Sequence, residues 1–326
     1  MRRYQLLIVS VFVLSVSALR AQTDAALSQY WFLPSYYNAA AIGLTDSINI
    51  RGAGRLQWVG IDGAPRTFIA AADMPLKLSR RHRLGVGVLF NQESIGLYNT
   101  LSVSAQIAYN IRLFRGILTV GLQPGFVDQS FKGSEVVLPD GDGFHDSNDD
   151  GIPTRDIRGN SFDLGVGLYY RRGAWWGGFS LTHLNSPVIS LDAESGAGTQ
   201  QQNFEFRIPR ALYFMAGGNI RVRNTLLEVI PSVIVRNAAS FTSADFTARL
   251  RYNRTFSAGI GYRWRDAVAL MLMAEIKGVI LGYAYDCPIS GAMRSSGGSH
   301  EIVAGYRLKL DLSEPNPYRH KSIRIL

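Results

Sequence analysis

From Ala244 to Ile276 the chain alternates between oily and polar side chains, and this pattern restricts the fold more than any other stretch. The even positions include Ala244, Phe246, Leu250, Tyr252, Phe256, Ile260, Tyr262, Trp264, Leu270, Leu272 and Ile276. The odd positions include Asp245, Thr247, Arg249, Arg251, Ser257, Arg263 and Glu275. A period of two means β-strands with one apolar and one polar face. The phase survives the turns. Three-residue loops, Asn253-Arg254-Thr255 and Arg265-Asp266-Ala267, set Tyr252 opposite Phe256 and Trp264 opposite Val268. The two-residue loop Lys277-Gly278 shifts the phase by one, and the next strand is oily at odd positions: Val279, Leu281, Tyr283 and Tyr285.

A soluble sandwich would alternate as well, but three details favour a membrane barrel. Full charges stand in mid-strand, where a dry core tolerates them poorly. Tyr and Trp stand at strand ends on the oily face, as interfacial girdles do. Each strand has about nine to eleven residues, enough to cross a bilayer when tilted.

Other stretches agree. Residues 1–21 read as a secretory signal peptide, with Arg2 and Arg3 before an apolar run that ends near Ala21. That run has about fourteen residues, too few for a spanning helix. The composition is 47% hydrophobic with 33 glycines, as expected of curved, closely packed strands. Cys287 is the only cysteine, so no internal disulfide forms. Residues 22–46 do not alternate and carry Tyr30, Trp31, Phe32, Tyr36 and Tyr37. So many rings call for burial, in the barrel lumen or against its periplasmic mouth; a mobile leader is the alternative reading.

Further strands are expected at 47–58, 66–74, 83–91, 101–112, 116–129, 161–171, 174–183, 205–220, 225–236 and 300–310. With the four in 242–286 they make a 14-stranded antiparallel transmembrane β-barrel over residues 47–310. With both termini in the periplasm, the connections 130–160, 184–204 and 287–298 all fall outside, as the short-periplasmic-turn rule requires. Residues 311–326 then form a basic periplasmic tail with Arg319, His320, Lys321 and Arg324.

Two separated motifs open the chain. Ser28-Gln29-Tyr30, Pro34, Asn38-Ala39-Ala40 and Gly43 are followed by Arg55-x-Gln57-Trp58-Val59-Gly60 and Gly63-Ala64-Pro65-Arg66-Thr67. This resembles the PorP/SprF family of outer-membrane proteins associated with type IX secretion, departing from its pattern at Leu33 and Ala39, where the family usually carries Asn and Pro. The resemblance implies a non-enzymatic outer-membrane barrel that docks or anchors secreted surface proteins, such as gliding adhesins or proteases. It implies partners among the translocon, the periplasmic ring and peptidoglycan-linked components, with outer-membrane lipid around the barrel. The residues alone say less. Gly60 to Pro65 is a turn in which Asp62-Gly63 supplies positive φ. Arg51, Arg55 and Gln57 share the polar face as lumen contacts, with recognition as the second reading.

Charge is uneven. Residues 128–163 hold Asp128, Glu135, Asp140, Asp142, Asp146, Asp149, Asp150, Asp156 and Asp163. The periplasmic side holds Arg80, Arg81, Arg83, Arg115, Arg171, Arg172, Arg221, Arg223, Arg254 and Lys277. That basic rim serves solubility and orientation, or docks acidic periplasmic partners or cell-wall polymer. Export excludes a nucleic-acid role. Asp146, Asn148 and Asp150 fit D-x-N-x-D-G, the opening of a calcium loop, within residues 140–156. Ile157 stands where a bidentate Glu would close that loop; Asp140, Asp142 or Asp156 would complete the shell, and a solvated acidic loop is the other reading. The five histidines show no metal-ligand spacing, no nucleophile-base pair stands out, and no enzyme is expected. The inward charges Asp245, Arg249, Arg251, Arg263 and Glu275 are expected to pair across the lumen. The alternative to docking is an outer-membrane diffusion channel for a small or apolar solute, with residues 22–46 as its hatch.

Overall fold

The computed structural model describes residues 24–77, 83–136, 155–193, 204–238 and 241–310. The expected signal peptide 1–21, Arg80, Arg81, Asp140, Asp142, Asp146, Asn148, Asp149, Asp150 and the expected basic tail 311–326 lie outside the described residues.

Alternating side chains produce long antiparallel strands. The first seven are β1 (Ser47–Leu56), β2 (Arg66–Lys77), β3 (Arg83–Ile95), β4 (Tyr98–Leu113), β5 (Gly116–Phe131), β6 (Ile157–Arg172) and β7 (Trp175–Thr182). A hairpin of β8 (Val188–Ala193) and β9 (Phe204–Arg207) interrupts the series. Then come β10 (Ala211–Gly218), its short continuation β11 (Ile220–Arg221), β12 (Leu227–Ala238) and β13 (Phe241–Tyr252). The last are β14 (Phe256–Arg263), β15 (Ala267–Ile276), β16 (Val279–Pro288) and β17 (Ser299–Lys309). Consecutive strands pair, β7 pairs with β10 across the hairpin, and β17 pairs with β1 from Ser47↔Lys309 to Leu56↔His300. The result is a closed barrel of fourteen strands with no free edge.

The two faces divide as the alternation requires. Leu270 and Leu272 are 59% and 64% exposed, on the outer face with Phe246, Leu250, Ile260 and Leu281. Their neighbours along the same strand, Ala269 and Met271, point inward and are buried. Among the described residues no helix is long and apolar enough to cross a membrane. An outer belt of this kind gains its stability from lipid, so the protein core lies inside the cylinder.

That core is built by residues 24–46. A short helix α1 (Pro34–Tyr37) and a 3-10 turn, Ala39–Ala41, carry the segment through the lumen. Leu27, Tyr30, Leu33 and Tyr37 pack with Ile69, Leu89, Tyr213, Met215, Ile234, Ile280 and Val303 of the wall. Full burial of such a side chain is worth about 1.5–3 kcal/mol. The 3-10 turn lies against Gly121 of β5 and Gly167 of β6, which are register partners. A Cβ on Gly121 would come 2.3 Å from Ala40 N, and one on Gly167 would come 2.1 Å from Asn38 Oδ1. Only glycine leaves room for backbone at that distance.

Connections sort by end. One end has the short turns 114–115, 173–174, 253–255 and 277–278, with 78–82 and 222–226. The other has 57–65, 96–97, 132–156, 183–210, 239–240, 264–266 and 289–298.

Three expectations are corrected. The connection 184–204, expected as an outside loop, contains β8 and runs into β9. Its residues Ile189 and Leu191 form an apolar cluster with Val127, Ile157 and Ile208. The barrel strand expected from 205 starts at Ala211, because Pro209 lacks an N–H to continue the ladder and Phe204 and Phe206 serve the hairpin. At the Trp264 turn the register is Arg263↔Ala267, so Tyr262, not Trp264, faces Val268. Arg265 takes a left-handed φ of 59° there, and Trp264 N donates to Ala244 O at 2.8 Å. Ile276↔Val279 agrees with the two-residue turn as read.

Candidate functional site

The lumen gathers the charged and motif residues, and Ser28 stands at its centre. Ser28 Oγ lies 2.6 and 2.7 Å from the two carboxylate oxygens of Asp286, which share its single proton. Arg55 Nη1 and Arg263 Nη2 donate to the same hydroxyl oxygen at 3.2 Å each. Glu301 accepts from the backbone N–H groups of Ser28 at 2.7 Å and Gln29 at 2.8 Å. Arg55 then joins both acids, at 2.7 Å to Asp286 and 3.1 Å to Glu301. Arg263 pairs with Asp245 at 3.2 Å, and Asp245 pairs with Arg236 at 2.8 Å. Three guanidinium groups (Arg55, Arg236, Arg263) therefore face three carboxylates (Asp245, Asp286, Glu301). Arg55 is 2% and Glu301 0% exposed, so removing one member would strand its partner's charge in the interior.

The two opening motifs thus meet in space: Ser28 and Gln29 from the first, Arg55 from the second. Tyr30 OH donates to Ser232 Oγ at 2.9 Å. Asn38 caps the 3-10 turn by accepting from Ala40 N at 2.9 Å and donates to the Leu168 carbonyl at 3.0 Å. The rest of the second motif builds the connection after β1. Trp58 stands beyond the strand end with φ 50°, and Gly60 and Gly63 take φ of 94° and 69°. Gln57 N donates to Pro65 O at 3.0 Å, Ala64 N to Ile61 O at 3.3 Å, and Thr67 Oγ1 to Glu93 at 3.4 Å.

The segment runs the full length of the lumen. At the long-loop end, Asp24 lies 3.4 Å from His183 Nε2 and accepts from the Tyr213 hydroxyl. His183 Nδ1 is 3.0 Å from Asp163. Burial disfavours the charged imidazole, but the two carboxylates outweigh it and lift His183 to about 10. Burial likewise opposes the Asp24 carboxylate, yet His183, Tyr213 and Arg236 hold its pKa below the usual value. Burial pushes the Tyr37 hydroxyl well above its ordinary range, and that hydroxyl donates to Ala25 O at 2.9 Å. At the short-turn end, Gly43 N donates to Asp73 at 3.0 Å, Arg171 donates to the Leu44 carbonyl, and Asp46 pairs with Arg83 at 2.5 Å.

The inward charges pair along the wall instead of across the lumen, because residues 24–46 occupy its middle. Asp245 and Arg263 are register partners on β13 and β14. Arg251 pairs with Glu228, its register partner on β12. Glu275 pairs with Arg307 at 2.7 Å. Arg249 lies over Trp31, its guanidinium carbon 3.4 Å from the ring centroid. Asp286 and Glu301 were missed by sequence reasoning. Their inward parity on β16 and β17 was legible; their proximity to Arg55 required the β1–β17 seam, where Arg55 faces Glu301.

Of the basic rim, Arg83, Arg115, Arg171, Arg172, Arg221, Arg223, Arg254 and Lys277 stand at the short-turn end. Of the acidic stretch, Asp128 pairs with Arg158 at 2.9 Å and Glu135 with Lys132 at 2.7 Å. Asp156 accepts from the Ser134 hydroxyl at 2.7 Å. Among the described residues no group of His, Cys, Asp and Glu is arranged to hold a metal.

The barrel is similar in fold to solved outer-membrane proteins. The P. putida toluene transporter TodX shares 10% identity, covers 85% of this chain and 93% of its own, and gives a TM-score of 0.46. A Pseudomonas aeruginosa FadL homologue shares 9% identity over 85% of this chain and 94% of its own, with a TM-score of 0.49. The translocator domain of autotransporter NalP from Neisseria meningitidis shares 11% identity over 80% and 87%, with a TM-score of 0.39. At these identities the likeness concerns the barrel fold alone. No curated protein matches the chain. The model of the type IX secretion system membrane protein family PorP/SprF matches residues 19–306, which include both opening motifs and nearly all of the barrel. The chain belongs to the PorP/SprF family of type IX secretion system membrane proteins.

Proposed function

We propose that this protein is a plugged, non-enzymatic barrel of the outer membrane that docks exported surface proteins, adhesins or proteases, for the type IX secretion system. The observation that carries the docking reading is the filled lumen. Residues 24–46 are tied to the wall by Ser28, Gln29, Tyr30 and Asn38, so a conducting path would require breaking a buried charge cluster. Family membership supports the secretion assignment. The long-loop end, built out by the hairpin of β8 and β9 whose apolar side chains are packed onto the barrel, offers a surface for cargo; the basic rim at the short-turn end suits acidic periplasmic components or cell-wall polymer.

The test is a mild-detergent pull-down of the tagged protein from native outer membranes. Recovery of secretion-ring components or exported cargo is the expected result. A barrel recovered alone, which also makes vesicles permeable to small solutes, would replace docking by a diffusion channel.

A further inference from the structure

A second feature of the lumen is not explained by anchoring of the N-terminal segment. Near the short-turn end lies a cavity of about 410 Å³, within the size range of small-molecule sites. Six arginines line it: Arg51, Arg171, Arg249, Arg251, Arg254 and Arg307. Three carboxylates answer them. Asp73 is 3.2 Å from Arg51, Glu275 is 2.7 Å from Arg307, and Glu228 is shared by Arg251 and Arg254, the latter at 3.7 Å. Arg171 donates to a backbone carbonyl, and Arg249 stands over the Trp31 ring with its Nε unpaired among the described residues. The cavity therefore keeps an excess of positive charge.

Arg249 is the informative member. Its side chain is buried, its Nε makes no hydrogen bond among the described residues, and its guanidinium lies flat on Trp31. Stacking on an aromatic face fixes the plane of a guanidinium while leaving its edge free for a planar oxyanion. Arg307 Nε and Trp31 Nε1 are also buried without hydrogen-bond acceptors. A buried donor without an acceptor is costly, and Arg249, Arg307 and Trp31 each bring one to the wall of this cationic hollow. Part of the remaining wall is flat and apolar, where Tyr169 stacks on Trp176 with centroids 5.7 Å apart beside Ile230 and Ile280, and Thr45, Asn219, Thr255 and Ser257 complete the lining.

We propose that this cavity binds an oxyanion, phosphate or carboxylate, joined to a flat apolar or aromatic group, and that Arg249 on Trp31 receives the charged end. The assignment is independent of the docking function. A barrel without secretion partners would still bind this ligand, and a docking barrel could lack it.

The full chain in maltoside micelles is titrated with 1-naphthyl phosphate, 1-naphthoate and 1-naphthol, read by tryptophan fluorescence and calorimetry. The expected result is saturable binding of at least one of the two anions, at least tenfold tighter than the uncharged naphthol. Arg249→Gln should raise the Kd at least tenfold. Arg254→Gln, on an exposed turn, should raise it several-fold and serves if the first variant does not assemble. Arg265→Gln, at the opposite end, should change nothing. Competition separates the sources: displacement by dioleoyl phosphatidate in mixed micelles marks a lipid headgroup, and displacement by inorganic phosphate alone marks a soluble ligand. Naphthol binding as tightly as both anions, Kd values unmoved by Arg249→Gln and Arg254→Gln, or displacement by neither competitor would overturn the proposal.

Discussion

Glu301→Gln is the sharpest probe of how the N-terminal segment is held. Glu301 is fully buried and accepts the Ser28 N–H at 2.7 Å, the Gln29 N–H at 2.8 Å and Arg55 at 3.1 Å. Glutamine keeps the shape but turns one acceptor into a donor that faces a backbone N–H. An unpaired buried N–H costs about 1–3 kcal/mol, and the bonds that remain lose their charge assistance, about 1 kcal/mol each. Together these weaken the hold of the segment by about 3 kcal/mol. At about 1.4 kcal/mol per tenfold, the released population rises about a hundredfold. Ala25, only 1% exposed, reports release when replaced by cysteine in a Cys287→Ser background. Maleimide should alkylate that thiol about a hundredfold faster in Glu301→Gln, while the barrel keeps its heat-modifiable migration on gels. A rate within threefold of the parent, with an intact barrel, would refute the reasoning. Ser28→Ala removes only the hydroxyl and should give a smaller acceleration.

Other perturbations follow from the same geometry. Gly121→Val places side-chain atoms where the 3-10 turn runs, since even a Cβ there would be 2.3 Å from Ala40 N; chymotrypsin should cut within residues 24–46, at Tyr30, Trp31, Tyr36 or Tyr37, in the variant and spare the parent. The Asp24–His183 contact should respond to pH with a defined sign. The His183 pKa is raised from 6.5 to about 10, so its stabilisation is complete below 6.5 and lost as pH climbs towards 10. Asp24 has a lowered pKa, so its share is present above about 4 and lost on acidification. A spin label at residue 26 should thus be least mobile between about pH 5 and 7, and flat mobility up to pH 10 would remove His183 from the contact. Leu270→Arg puts a charge on the lipid face and should lower stability in lipid vesicles by about 2–4 kcal/mol, read by urea unfolding; a loss below about 0.5 kcal/mol would place Leu270 outside the hydrocarbon. Chelation of calcium should speed protease cleavage within 140–156 if Asp146, Asn148 and Asp150 hold the ion, and unchanged cleavage would leave a solvated acidic loop.

The strands were legible because parity is a local property. Each inward or outward assignment from Ala244 to Ile276 needed only the neighbouring residues, and closing an even-stranded cylinder fixed the count. The hairpin of β8 and β9 was not legible. Its strands are short, and its apolar residues answer Val127 and Ile157, distant in sequence. The charge cluster was half legible. Parity puts Arg55, Asp245 and Arg263 inside but cannot say which of them meet, since Arg55 and Glu301 are 246 residues apart and adjacent only through the seam. Pairing across an open lumen was a sound expectation for an empty cylinder; the space had already been taken by the aromatic segment.

Glu301 lies on the last strand, and the ladder that joins this strand to the first places it directly opposite Arg55. The same carboxylate holds the backbone of Ser28 and Gln29. Sealing the wall and filling the interior therefore draw on one side chain. A cylinder zipped around an empty interior would leave Glu301 with two of its three donors missing. The N-terminal segment and the β17–β1 seam therefore share one carboxylate, which ties correct filling of the lumen to clean closure of the wall.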